Sequence, residues 1–315
     1  MKNSSKTKKV IFISGPTASG KTDLALYLNQ NLPIDLISVD SSLVYKGLDI
    51  GSGKPSSAIL KQVPHYLIDI LEPNEIFSAG AFRTLALEKM HHILDQDRVP
   101  CLVGGSMMYF KSLLDGLNDA PGRDEVFRKN LVRRAQLEGV LALYQELLNI
   151  DAISGYKIHP NDYKRIERAL EIIYLSGKTK SDFIQVQTKL QDFEVIHVAL
   201  MPLFTAREVL HKNICLRFDK MLAQGFIQEV ESLKLRGDLS LDLPSMRSVG
   251  YQQVWRYLDG EYDKEVMREK AIVATRQLAK HQLTWLRRWP NIAAFDFALP
   301  DLHQAVLIYL QAMLA

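Results

Sequence analysis

One octapeptide constrains this chain more than any other feature. Gly15-Pro16-Thr17-Ala18-Ser19-Gly20-Lys21-Thr22 fits G-x-x-x-x-G-K-[ST]. The apolar run Val10–Ser14 precedes it, and a helical pattern from Lys21 to Asn31 follows. Strand, glycine-rich loop and helix is the context in which this motif closes around an anion. Glycines let the backbone wrap closely, successive N–H groups point inward, and the helix start adds its positive end. Lys21 brings a full charge, and the Thr22 hydroxyl can hold Mg²⁺. The loop therefore predicts a polyphosphate site without naming the occupant. A nucleoside triphosphate and a diphosphate ester satisfy the same donors.

Short apolar runs alternate with helical patterns after the loop. Leu36–Val39 reads as a second strand, Tyr66–Ile70 as a weaker one, Ala79–Gln96 as a helix, and Pro100–Val103 as a strand ending in Gly104-Gly105. Such alternation predicts a parallel sheet with crossover connections. From Asp119 to about Lys189 the pattern is helical and rich in Arg and Lys; Val195–Leu200 then reads as one more strand. Helices follow from Ala206 to Trp289, broken near Gly237 and Leu243-Pro244. A length of 315 residues suggests roughly two domains. The pattern instead predicts an α/β fold: a P-loop parallel sheet flanked by helices, with an all-helical insertion and a helical C-terminal part. Its boundaries are 1–120 with 190–315 for the discontinuous catalytic core and 121–189 for the insertion.

Composition closes off other classes. Apolar residues at 47% and charged residues at 24% argue against long disorder, collagen and low-complexity architectures. The net charge, 39 − 36 = +3, does not by itself announce a nucleic-acid partner. Lys2, Lys6, Lys8 and Lys9 precede Val10–Ile13, a run too short for a signal peptide, so Met1–Lys9 reads as a solvated leader. No apolar run approaches a membrane span. Cys101 and Cys215 lie far apart and read as reduced thiols, which suits a cytoplasmic protein.

Leu36-Ile-Ser-Val-Asp40 places a carboxylate at the carboxyl end of the second strand, the edge that faces the ligand crevice in open α/β sheets. Asp40 can serve there as a general base, hold a metal through water, or simply cap the Asp40-Ser41-Ser42 turn. His65 reads as structural.

These segments resemble the bacterial tRNA dimethylallyltransferase family, also called tRNA isopentenyltransferases. The resemblance is carried by the Gly15–Thr22 loop, Ser38-Val-Asp-Ser41, Tyr45-Lys-Gly-Leu-Asp-Ile-Gly51 and Lys54-Pro55. Pro64-His65, Phe77-Ser78, Val103-Gly-Gly-Ser-Met-Met-Tyr-Phe110, His159-Pro-Asn-Asp162 and Arg165–Glu171 extend it. So do Arg217-Phe218, Gly225-Phe226, Leu243–Tyr251, Ala274–Lys280 and Trp285-Leu-Arg287. It runs over nearly the whole chain.

The resemblance implies transfer of a dimethylallyl group from dimethylallyl diphosphate to N6 of the adenosine immediately 3′ of the anticodon, in tRNAs reading codons that start with U. Diphosphate leaves, and Mg²⁺ assists. Gly15, Pro16, Thr17, Ala18, Ser19, Gly20, Lys21 and Thr22 would hold the diphosphate, with Thr22 on the metal. Asp40 would be the general base, and Thr17 and Arg217 would act on the diphosphate. Asp40, Ser41, Ser42, Leu43, Ser106 and Arg128 would meet tRNA. Ser106 stands where a threonine is expected, and Gln252 where an arginine often follows the tyrosine.

Three basic segments suit an RNA partner. Lys164, Arg165, Ile166, Glu167 and Arg168 form the first; Arg247, Ser248, Val249, Gly250, Tyr251 and Gln252 form the second, with Tyr251 available for stacking. From Lys264 to Arg288 there are seven Lys/Arg against two acids, and Arg276, Lys280 and Arg287 share a helix face. Leu278, Leu283, Trp285 and Leu286 read as core. The expected partners are the tRNA anticodon stem-loop and dimethylallyl diphosphate, bound by a monomer with no membrane association. A P-loop kinase, a prenyltransferase acting on free adenine nucleotides, and an RNA-binding module with a vestigial loop are the competing readings.

Overall fold

A computed structural model describes residues 8–116, 120–183, 190 and 193–315. Of the expected leader Met1–Lys9, residues 1–7 lie outside them, whereas Lys8 and Lys9 pair with Phe193 and Glu194 and belong to the first strand; parts of the two joins flanking the expected insertion also lie outside. The elements begin with β1 (Lys8–Ser14), α1 (Lys21–Asn31), β2 (Ile34–Val39), α2 (Ser57–Gln62), β3 (His65–Tyr66), α3 (Ala79–Leu94) and β4 (Val99–Gly104). Next come α4 (Met107–Asp115), α5 (Glu125–Glu138), α6 (Val140–Ile150), α7 (Ala152–Gly155), α8 (Tyr163–Ser176) and α9 (Lys180–Phe183). The last are β5 (Phe193–Met201), α10 (Arg207–Ala223), α11 (Phe226–Leu235), α12 (Tyr251–Leu258), α13 (Lys264–Leu286), β6 (Ala293–Asp296) and α14 (Leu302–Leu314). The chain divides into two compact units, Met1–Leu113 with Gln191–Ala315, and Leu114–Leu190.

The first unit is a parallel sheet in the order β3-β2-β4-β1-β5-β6. Connections from the neighbours β4 and β1 run to opposite sides, so a crevice opens beyond their carboxyl ends. Both sheet faces are covered, which explains why the central strands read as continuous apolar runs. Ile11 and Ile13 pack with Leu24 and Leu28 of α1 and Val306 and Leu310 of α14. Phe12 points the other way, its ring 5.0 Å from Phe110 of α4. Ser78 caps α3 by accepting from the Ala81 N–H at 3.0 Å.

Several expectations need correction. Tyr66–Ile70 is not a strand: pairing stops at Tyr66 because Leu67 and Asp69 take left-handed φ values of 66° and 54°. α4, β6 and α14 went unpredicted. β6 is a four-residue edge strand that, among the described residues, pairs with β5 alone.

The second unit is helical. Leu131, Leu143, Leu147, Ile166 and Leu170 fill its core, and Asp124 and Asp162 cap α5 and α8. A buried carboxylate ties it together. Glu171 accepts two bonds from Arg128, at 2.7 and 2.8 Å, one from Arg168 at 2.6 Å and one from the Asp124 N–H at 2.9 Å. Burial alone would raise its pKa; these donors outweigh burial and hold it at about 2. Glu171→Ala should therefore cost about 3–5 kcal/mol, because it strands the partner cations. Thermal denaturation of the variant checks this. The sign with pH follows. The stabilisation is complete above the unfolded carboxyl pKa and is lost as pH falls toward 2.

Candidate active site

The loop closes as its sequence requires. Gly20 takes φ 81° and starts α1 with no side chain capping it, leaving first-turn N–H groups for an anion. Pro16 and Ser19 are buried, and a Cβ on Gly15 would lie 2.9 Å from the Leu200 carbonyl oxygen of β5. Lys21 Nζ donates to the Pro16 carbonyl at 2.6 Å. Burial, then the neighbouring Arg217 cation, push the Lys21 ammonium down to about 7, with Asp40 opposing them. Arg217 is likewise shifted down by burial and held up by Asp40. Two desolvated cations facing one carboxylate make a site built for anion chemistry.

Arg217 comes from α10. It donates from Nη1 to Thr17 Oγ1 at 3.4 Å and from Nη2 to the Ser52 carbonyl at 3.1 Å. Gly53, at φ 69°, makes room for it: a Cβ there would sit 2.1 Å from Nη2. Asp40 closes β2 and accepts at Oδ1 from the N–H groups of Ser42 (2.8 Å) and Leu43 (3.3 Å). Ser106 Oγ accepts from the Ser41 N–H at 3.2 Å, and the Ser42 and Ser248 hydroxyls meet at 2.9 Å.

Lys21, Arg217 and Asp40, with Thr17, Ser42 and Ser52, line one cavity of ≈ 170 Å³. Its polar lining includes Thr17, Lys21, Thr22, Asp40, Ser42 and Arg217; its apolar lining includes Ile214, Phe218, Met221, Phe226, Val249 and Leu278. The predicted residues Ala18, Leu43 and Gly250 also line it.

Others stand apart. Lys280 is exposed on α13 and Arg287 is exposed just past its end, and exposed Arg247 donates to the Asp242 carbonyl. Gln252 is half-buried on α12. In the helical unit Lys164 and Arg165 are exposed, whereas Ile166 and Glu167 are buried and Arg128 and Arg168 serve Glu171. Tyr251 cannot stack on a base as expected. It is fully buried against Phe226, with its hydroxyl on Glu229 at 2.6 Å. Leu278 is not core; it lines the cavity. Trp285 is half-buried against Trp289.

Two further residues hold the site and gave no local signal. Gln282 of α13 accepts from the Thr17 N–H and donates to the Gly105 carbonyl, both at 2.9 Å, clamping the loops after β1 and β4. Glu229 of α11 accepts from the N–H groups of Asp49, Ile50 and Gly51 at 3.2, 2.6 and 3.1 Å. It thereby fixes the backbone leading to Ser52 and Gly53. His65 is structural, its Nδ1 on the Val63 carbonyl at 2.7 Å.

Residues 43–289 match the family model described as IPP transferase. The chain belongs to the IPP transferase family. That match begins after the phosphate loop, so loop and family are separate observations. Among solved structures, the chain is similar to the full-length tRNA isopentenylpyrophosphate transferase of Bacillus halodurans. Identity is 34%, coverage 98% of this chain and 97% of that one, and the TM-score 0.71. The tRNA delta(2)-isopentenylpyrophosphate transferase of Staphylococcus epidermidis is 30% identical over 98% of both chains, at a TM-score of 0.68. A eukaryotic dimethylallyltransferase acting on tRNA is 25% identical, with 98% of this chain and 79% of that one covered and a TM-score of 0.82.

Proposed function

We propose that this member of the family transfers a dimethylallyl group from dimethylallyl diphosphate to N6 of the adenosine immediately 3′ of the anticodon, in tRNAs reading codons that begin with U. The observation that carries the reading is one cavity shared by the phosphate loop, Arg217 and Asp40. The allylic C1–O bond breaks and its electron pair leaves on diphosphate. Lys21, the loop N–H groups and Arg217 stabilise that charge. The adenine N6 bonds to C1 and loses a proton, which Asp40 takes. Thr17 orients the diphosphate beside Arg217.

The Thr22 hydroxyl offers a hard oxygen donor at this cavity and would hold Mg²⁺ alongside the diphosphate, leaving Asp40 free as the base. Among the described residues no group of three or more His, Cys, Asp or Glu could hold a metal, so such binding would lean on the diphosphate. When bound, Mg²⁺ would neutralise part of the leaving charge.

The target base must leave its stack to reach a part-buried carboxylate. We assign tRNA contact to Ser41, Ser42, Ser106, Arg247, Ser248, Gln252, Lys280 and Arg287, and to Lys164 and Arg165 of the helical unit. No helix among the described residues is long and apolar enough to cross a membrane. A monomer acting in the cytoplasm fits this reading.

The test is incubation with labelled dimethylallyl diphosphate, Mg²⁺ and unmodified tRNA, with AMP and ATP as competing acceptors. Label should enter tRNA alone. Transfer to AMP or ATP, or ATP turnover without prenyl transfer, would replace the reading.

The low Lys21 pKa gives a pH prediction. In the free enzyme the ammonium loses its proton above about 7, and a bound diphosphate draws it back. Donor binding should take up close to one proton at about pH 8 and almost none at about pH 6, and affinity should weaken as pH rises. Calorimetry in buffers of different ionisation enthalpy reads this directly.

A further inference from the structure

A second, larger groove of ≈ 730 Å³ lies beside the cavity, lined by Lys54, Ser56, Ser57, Leu60, Lys220 and Gln224 among others. Gly53, Arg217 and Met221 line both voids. They form the partition between them.

Two of the three are sealed in place. Arg217 is bonded to the Ser52 carbonyl and Thr17, and Gly53 stands so close that any Cβ there would strike the guanidinium. Met221 closes the rest. It lies one helical turn beyond Arg217 on α10, on the same face as Ile214 and Phe218. Its side chain is flexible and unbranched, and the residue is 8% exposed. The cavity it closes, at ≈ 170 Å³, is below the usual range of about 300–1,000 Å³ for ligand sites. It must hold a diphosphate, an apolar tail and the incoming amine.

We propose that Met221 sets the donor's chain length by stopping the apolar end of the cavity. A five-carbon tail fits in front of the thioether. A ten-carbon tail must pass through the partition into the outer groove. This rests on the prenyl-transfer reading above. The reaction is unchanged, since C1–O still breaks and N6–C1 still forms, but a longer allylic diphosphate becomes a donor when Met221 is shortened.

The experiment compares dimethylallyl and geranyl diphosphate as donors to unmodified tRNA, for the wild type, Met221→Ala and Met221→Leu. The readout is the ratio of kcat/KM for the two donors. Partial unfolding cancels in that ratio, so a merely structural role for Met221 would not move it. Met221→Ala should raise the geranyl-to-dimethylallyl ratio at least tenfold, and Met221→Leu should restore the wild-type ratio. A ratio unchanged in active Met221→Ala, or a wild type that uses both donors equally, overturns the proposal and leaves the prenyl-transfer reading standing. If the wild type transfers neither group to tRNA, both fall.

Discussion

Asp40→Ala should lower prenyl transfer to tRNA by about 10²–10⁴-fold, the range a positioned general base supplies, while tRNA binding holds near the wild-type level. The expectation follows from placement. The carboxylate ends β2, and the Ser42 and Leu43 N–H groups fix Oδ1. It lines the cavity that also holds Lys21 and Arg217. An exocyclic adenine amine is a weak nucleophile that must shed a proton as it attacks, and Asp40 is the carboxylate lining the cavity. Asp40→Asn keeps the shape and the turn, so its loss should match that of alanine if proton acceptance is the role. Single-turnover rates with tRNA and donor prebound isolate the step. An asparagine variant that transfers at the wild-type rate would remove Asp40 as the base.

Arg217→Ala should cost about 10²–10³-fold in kcat, the scale seen when one preorganised donor to a developing anion is deleted. The guanidinium spans Thr17 and Ser52, and Glu229 and Gln282 brace the backbone on either side. Bracing of that kind places charge where the leaving group forms, before it forms. Arg217→Lys should recover little, because an ammonium is a single point and cannot bridge both partners. The measurement is kcat against donor KM at saturating tRNA. A rise in KM with kcat intact would show that Arg217 only binds the ground state.

The phosphate loop and its flanks were legible because each residue answers a local demand. The helix after the loop begins at Lys21 and ends at Asn31 as its pattern requires. Asp40 was legible from strand polarity. What escaped depended on long-range placement. Glu229 and Gln282 are lone polar residues on amphipathic helices, and in sequence they look like any half-exposed side chain. Their meaning arises when α11 and α13 bring them to backbone more than a hundred residues away. Tyr251 misled for the complementary reason: an aromatic four residues after an arginine suggests an RNA-binding loop, yet its ring is part of the packing that supports Gly51. β6 has no pattern of its own and is a strand because β5 offers it an edge.

The close fit of Gly53 against Arg217 has an evolutionary reading. Neither position is free to drift alone. Any side chain acquired at 53 evicts the guanidinium, and the left-handed φ of 69° keeps glycine favoured there even when the guanidinium is gone. A mutational scan should accordingly find the two among the least tolerant sites in the chain.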